Sequence, residues 1–261
     1  MSDKILEFWN ARAGLGDSAG TNDLPLKQIE MSALAELVPH GSRVLDIGCG
    51  NGITAFRLAE RKGVTVVGID YAAEMVENAK REAQRRAVES RAQFVVGDIR
   101  KLGQIEAIAN QTFDIVISER VLINLASWVE QRAAIRDIVG RLAPGGRYLM
   151  CESVEDGLVN INRARACINL PPIEKPWHNR YLRETEIADV DFATLRQRRD
   201  FSATYYFLSR VVNAWVAKNE NAEPRYDSVI NQLAPQLAGI DNFESTGFGQ
   251  TRLWVWERKA P

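Results

Sequence analysis

Only two histidines, His40 and His178, occur in 261 residues, and they stand far apart. A zinc site built from spaced Cys and His pairs therefore has no ligands to draw on, and no metal is expected. Cysteine is nearly as scarce. Cys49, Cys151 and Cys167 are scattered and odd in number, which excludes a disulfide framework and fits reduced thiols in a cytoplasm. No uncharged run approaches the roughly 18 residues of a membrane span. The opening Met-Ser-Asp-Lys-Ile-Leu-Glu lacks the basic, apolar and small-residue order of a signal peptide. Neither charge dominates: 33 Lys and Arg face 34 Asp and Glu. That removes the electrostatic case for a nucleic-acid partner.

What is present is concentrated in Arg43-Val-Leu-Asp-Ile-Gly-Cys-Gly-Asn-Gly52. An apolar run (Val44, Leu45, Ile47) holds one acid, Asp46, then breaks at Gly48, Gly50 and Gly52 before a helical segment, Ile53–Glu60. This spacing predicts a strand, a tight turn and a helix, with glycines where the backbone must turn or a ligand must approach. Asp70 follows 18 residues after Gly52, closing a second apolar strand, Val64–Ile69. An acid at the end of the second strand of a doubly wound sheet is placed to hold ribose hydroxyls.

The glycines are spaced G-x-G-x-G, unlike the G-x-G-x-x-G of dinucleotide sites. The segment resembles the first motif of class I methyltransferases that use S-adenosylmethionine, close to [VL]-[LV]-[DE]-[LIV]-G-C-G-x-G. Val95-Val-Gly-Asp98-Ile99 resembles the family's next motif, whose acid accepts the adenine amine. Phe113–Ser118 and Leu142–Arg147 resemble the fourth strand and the loop before the fifth. The resemblance covers about residues 40–152. It implies a cofactor cradle of Asp46, Gly48, Cys49, Gly50 and Gly52 for the methionine end, where free turn amides would meet its carboxylate. Asp70 would take the ribose, and Tyr71, Met75, Asp98 and Ile99 the adenine; Asp98 can equally cap a following helix. Trp9 and Arg12 resemble a segment folded over the cofactor, with Arg12 on the cofactor carboxylate and Lys27 as a weaker candidate.

Helices are read at 3–12, 25–38, 53–62, 73–89, 102–109 and 127–142, and strands at 43–47, 64–69, 92–96, 113–118 and 146–151. The pattern changes after residue 151: helical 157–168, prolines at 171, 172 and 176, a strand at 200–211, a mostly helical 212–238 and a last strand at 251–257. The expected fold is α/β, a Rossmann-like doubly wound seven-stranded sheet with an antiparallel last strand and helical lid insertions. One integrated domain would comprise a helical cap (1–40), the cofactor core (41–151) and the remaining strands with acceptor-side lids (152–261).

Transfer of a methyl to a hydroxyl needs alignment, exclusion of water and removal of a proton. Glu119 and Arg120 follow the fourth strand, where strand ends line the ligand crevice; Glu119 could face the cofactor or act as base. His178, in Lys175-Pro-Trp-His-Asn-Arg-Tyr181, is the leading base candidate, and Glu152 is another. Arg120, Trp177, His178, Tyr181, Tyr205 and Arg210 are expected to contact the acceptor. The [ND]-P-P-[YF] segment of adenine and glutamine N-methylases is absent from the fourth strand's end. The expected partner is a small-molecule or saccharide acceptor, most simply a sugar or glycan hydroxyl. The alternatives are N- or O-methylation of another metabolite, RNA methylation, and a non-enzymatic cofactor-binding subunit.

Overall fold

A computed structural model describes residues 3–259. The chain opens with α1 (Asp3–Arg12), a 3-10 turn (Ala13–Ser18) and α2 (Leu24–Glu36). Asp23 caps α2, accepting from the Leu26 N–H at 3.2 Å, and Pro25 sits in the first turn where its missing N–H costs nothing. The alternating section runs β1 (Arg43–Ile47), α3 (Ile53–Ala59), β2 (Thr65–Asp70), α4 (Ala73–Arg85), β3 (Ala92–Val96), α5 (Glu106–Ala109), β4 (Phe113–Glu119), α6 (Trp128–Val139) and β5 (Leu142–Ser153). The remainder comprises α7 (Glu155–Cys167), α8 (Glu184–Ala188), β6 (Ala193–Asp200), α9 (Ala203–Phe207), a π turn (Leu208–Val212), α10 (Asn213–Asn219), α11 (Val229–Leu237), α12 (Asp241–Glu244) and β7 (Thr251–Arg258).

The seven strands are ordered β3-β2-β1-β4-β5-β7-β6. The first five run parallel, and β7 is antiparallel to both β5 and β6. Val44, Leu45 and Ile47 are all buried because β1 is covered on both faces, as parallel strands in such folds are. Helices α2, α3 and α4 supply one apolar layer and α6 with α8 the other. The strand order reverses between β1 and β4, so a crevice opens beyond their carboxyl ends.

Three sequence expectations are corrected. Residues 203–219 are helical, not a strand at 200–211. The aromatic and β-branched run Tyr205-Tyr-Phe-Leu-Ser-Arg-Val211 has strand composition, but Tyr205, Tyr206 and Val211 pack as helix faces against Leu26 and Ala234. The sixth strand is instead β6, Ala-Thr-Leu-Arg-Gln-Arg-Arg-Asp, a largely exposed edge strand whose arginines hide its apolar periodicity. The helix expected at 102–109 is a 3-10 segment (Ile99–Gln104) followed by the one-turn α5.

The insertion is keyed to the sheet at Gly157 of α7. A Cβ there would lie 2.3 Å from the Gly249 carbonyl oxygen and 2.7 Å from Gln250 Cα. Backbone atoms cannot swing aside, so Gly157→Ala should destabilise the fold by about 1–3 kcal/mol, read from urea melts. An unchanged midpoint would show that α7 can lift away freely.

Candidate active site

A cleft with about 900 Å³ of open space lies at the carboxyl ends of β1, β2 and β4. Its floor is the glycine turn, with Gly48, Cys49, Gly50 and Asn51 on the wall. Gly48 is needed because its φ is +70° and a Cβ would meet Val121 Cγ2 at 2.2 Å. Gly50, at φ +53°, has nothing within 4 Å of a would-be Cβ, leaving its backbone open to a ligand. Gly52 caps α3 in the left-handed region.

Asp70 stands on the wall at the end of β2. Its carboxylate accepts from the Gly50 and Ala72 N–H groups, both at 2.9 Å, which fixes its orientation and leaves further lone pairs. Burial raises its pKa and those amides pull it back down. Tyr71, Met75, Gly97 and Ile99 continue the wall, and the buried Tyr71 hydroxyl has no hydrogen-bond partner. Burial, reinforced by Asp70 and Asp98, pushes that phenol up.

The opposite end is charged. Glu119 accepts from Lys27 Nζ and from Thr54 Oγ1, each at 2.7 Å, and Lys27 also reaches Thr54 at 2.9 Å. Glu119 is held below its ordinary pKa because Lys27 and Arg120 outweigh its burial. Arg120 reaches Glu30 of α2 at 3.4 Å. Glu30 is fully buried, and burial together with the neighbouring Glu119 charge raises its pKa to about 8 despite Arg120. Glu30 keeping its proton can donate to Glu119, which two carboxylates could not do.

A carboxyl raised from 4.5 to about 8 on folding binds a proton that the unfolded chain has released. Stability therefore falls as pH rises through that window and levels off above it. Asp46 and Glu152, each raised to about 7 by burial, contribute a decline that ends earlier. Between pH 7 and 8 Glu30 dominates, with a limiting slope of about 1.4 kcal/mol per pH unit. Glu30→Gln should flatten that slope in chemical unfolding series; an unaltered slope would place the proton elsewhere.

The roof is the N-terminal segment. Trp9 lines the cleft with Gly16, Asp17, Ala19, Gly20 and Thr21. Three asparagines hold it down: Asn124 accepts from Trp9 Nε1 at 3.3 Å, Asn51 Nδ2 donates to the Ala13 and Gly16 carbonyls, and Asn78 Nδ2 donates to Ala13.

Several expectations are rearranged. Arg12 does not line the cleft; its guanidinium donates to the Ala19 and Ser18 carbonyls and to Asn22, and so shapes the roof loop. Lys27, the weaker candidate, does line the cleft. The turn amides are not free either: Gly48 and Cys49 donate to Ile69, Gly50 to Asp70 and Gly52 to Cys49. Asp98 turns onto Arg100 and caps the 3-10 segment, leaving Gly97 and Ile99 on the wall. Asp46 is buried within β1 behind the turn, with one oxygen unpartnered.

Glu152 is fully buried away from the cleft, accepting from Ser118 Oγ at 2.9 Å and the Val121 and Leu122 N–H groups at 3.1 Å. It braces the turn after β4, so it cannot take a proton from an acceptor. Tyr205 and Arg210 both bond to Asp23 in the interior, tying the helical insertion to the start of α2. Tyr181 is likewise buried against Ile123 and Leu158. His178 packs on Phe8, Trp9 and Trp177, with ring centroids 4.5, 5.5 and 5.2 Å away, so Trp9 stands between it and the cleft. Its pKa is lowered by burial and by Arg12. Among the described residues none beyond Asn124 lines the cleft, and its roof comes from the N-terminal segment.

Sequence reasoning missed Thr54, Asn124 and Glu30. Glu30 had a signal: it interrupts the apolar stripe Leu26, Ala33 and Leu34 of α2.

A family model described as a methyltransferase domain matches residues 39–183. The chain belongs to that family. This places the cleft in the class I fold that uses S-adenosylmethionine, and the residues present fit it: Asp70 with lone pairs to spare at the end of β2, an open glycine backbone and the unpartnered Tyr71 hydroxyl. Among relatives, 27-O-demethylrifamycin SV methyltransferase of Amycolatopsis mediterranei is 36% identical over 119 residues, 45% of this chain and 41% of that protein. Ubiquinone biosynthesis O-methyltransferase of Idiomarina loihiensis is 28% identical over 62% of this chain and 67% of its own. The chain thus spans about two fifths of the first relative's length. Magnesium protoporphyrin IX methyltransferase from Synechocystis, solved with bound S-adenosylhomocysteine, shares the fold at TM-score 0.57 and 18% identity, over 90% of this chain and 84% of that one. Among the described residues no helix is long and apolar enough to cross a membrane.

Proposed function

We propose that this methyltransferase moves a methyl group to a hydroxyl of a small polar acceptor, with a saccharide or glycan hydroxyl as one member of that class. The observation that carries the reading is a single space bounded by Asp70 at one end and the Lys27–Glu119 pair at the other, beneath Trp9. S-adenosylmethionine supplies an electrophilic methyl on a sulfonium. Asp70 would accept its ribose hydroxyls, Tyr71, Met75 and Ile99 would pack its adenine, and Lys27, with two of three N–H donors in use, would meet its carboxylate. Trp9 and the Gly16–Thr21 loop exclude water, so positioning supplies much of the rate.

O-transfer is supported by the names of the rifamycin and ubiquinone relatives, and a ring cluster packs around Trp9 of the cleft roof. Phe8, Trp9 and Trp177 offer faces to a sugar or an aromatic ring. His178 packs behind Trp9 in this cluster, and the acceptor hydroxyl's proton passes to solvent. Methyl-labelled S-adenosylmethionine incubated with a panel of polyols, phenols and amines tests the reading. Label on hydroxyl compounds supports it, and label on amines alone overturns it. Because His178 sits behind Trp9, His178→Ala should change acceptor KM more than kcat; a kcat loss of about 100-fold or more would make it the base.

A further inference from the structure

Two cations line the cleft among the described residues, Lys27 and Arg120, and they are satisfied very differently. Lys27 holds two hydrogen bonds at 2.7 and 2.9 Å. Arg120 has a buried Nε with no acceptor, and its one ion contact, to Glu30 at 3.4 Å, lacks hydrogen-bond alignment. Its backbone is also unusual. Arg120 has φ +57° directly after β4, a strained conformation for a non-glycine residue. The surroundings hold that turn in place: the Arg120 N–H donates to Cys151, and Glu152 accepts from the two following amides. A guanidinium is thus fixed at the cleft wall with donors unfilled, although leaving a charged donor unmatched in a buried site is costly.

We propose that the acceptor carries a carboxylate or equivalent oxyanion that docks on the Arg120 guanidinium. This rests on the methyl-transfer reading and deepens it by giving the acceptor's charge. The planar guanidinium matches a carboxylate's two oxygens, which an ammonium cannot do. Nearby carboxyls do not take that role. Glu119 is committed to Lys27 and Thr54, and Glu30 retains its proton through neutral pH. Of the three carboxylates that line the cleft, Asp17, Asp70 and Glu119, only Glu119 pairs with a cleft cation, and that cation is Lys27, so none of them is an ion-pair partner of Arg120. The cofactor's own carboxylate is the other source of the same chemistry, and Lys27 beside the glycine turn is its partner here.

The test follows the Arg120 Nε–Hε signal in nitrogen–proton spectra of protein saturated with S-adenosylhomocysteine. Benzoate should move the signal saturably, and benzamide, of the same shape without charge, should not. Arg120→Lys, which removes the signal and so assigns it, should weaken benzoate binding about tenfold or more in calorimetry and leave S-adenosylhomocysteine affinity within about threefold. The Arg120→Met/Glu30→Gln pair, which removes both partners together, should abolish benzoate binding without stranding a buried charge. If S-adenosylhomocysteine alone moves the signal and benzoate adds nothing, the cofactor holds Arg120 and the inference falls. It falls equally if benzoate and benzamide act alike or neither acts. Protein that takes up no S-adenosylhomocysteine would overturn the methyl-transfer reading and this inference with it.

Discussion

Lys27→Met should cost about 3–5 kcal/mol of folding stability, because it removes one partner of a buried ion pair and strands the other. The Lys27 and Glu119 side chains are only 15% and 5% exposed, so solvent screens the pair little. Glu119 would keep Thr54 and its proximity to Arg120, but its negative charge would then lie beside Glu30 with one cation instead of two. The double variant Lys27→Met/Glu119→Gln should recover much of the loss, since Glu119 no longer leaves a stranded negative charge. Urea unfolding of both variants measures this. A single-variant loss under about 1 kcal/mol would mean that the pair behaves as a solvated surface bridge.

Asp70→Ala should weaken S-adenosylhomocysteine binding by about 1.5–3 kcal/mol, roughly ten- to a hundredfold, through loss of a charged acceptor for two hydroxyls. Asp70 also accepts from the Gly50 and Ala72 N–H groups, so the substitution could act by loosening the glycine turn. Asp70→Asn separates the two causes. Its single oxygen replaces only one of the two that accept from Gly50 and Ala72, and its NH2 faces the other N–H, so a modest fall in melting temperature should accompany a much larger fall in affinity. A melting temperature that falls in step with affinity would make Asp70 a turn brace alone. Calorimetric titration alongside thermal melts decides between them.

The glycine turn and Asp70 were legible because their chemistry is local: positive φ, close approach and a strand end are written in a dozen consecutive residues. The parallel strands were legible for a similar reason, since a buried strand is a continuous apolar run. Tyr205 and Arg210 were misplaced because an aromatic run has strand composition, and only contact with Leu26 and Ala234 turns it into helix. Choosing Arg12 over Lys27 failed on distance along the chain. Arg12 spends its donors on carbonyls seven residues or fewer away, whereas Lys27 meets Glu119 across 92 residues. Glu152 and His178 carry the residue types a base needs, but the packing around them decides access: one is sealed under the β4 turn, the other stands behind Trp9. The N-terminal roof was foreseen in Trp9, yet the asparagines that clasp it lie on three separate elements, and no local pattern announces them.

A crystal structure of the protein with S-adenosylhomocysteine tests the account most directly. It should show the ligand lying along the cleft, ribose hydroxyls on Asp70, adenine beside Tyr71, Met75 and Ile99, and the amino-acid end over Gly48–Gly50 toward Lys27. Ligand density elsewhere, or a ribose turned away from Asp70 with the carboxylate on Arg120, would contradict it.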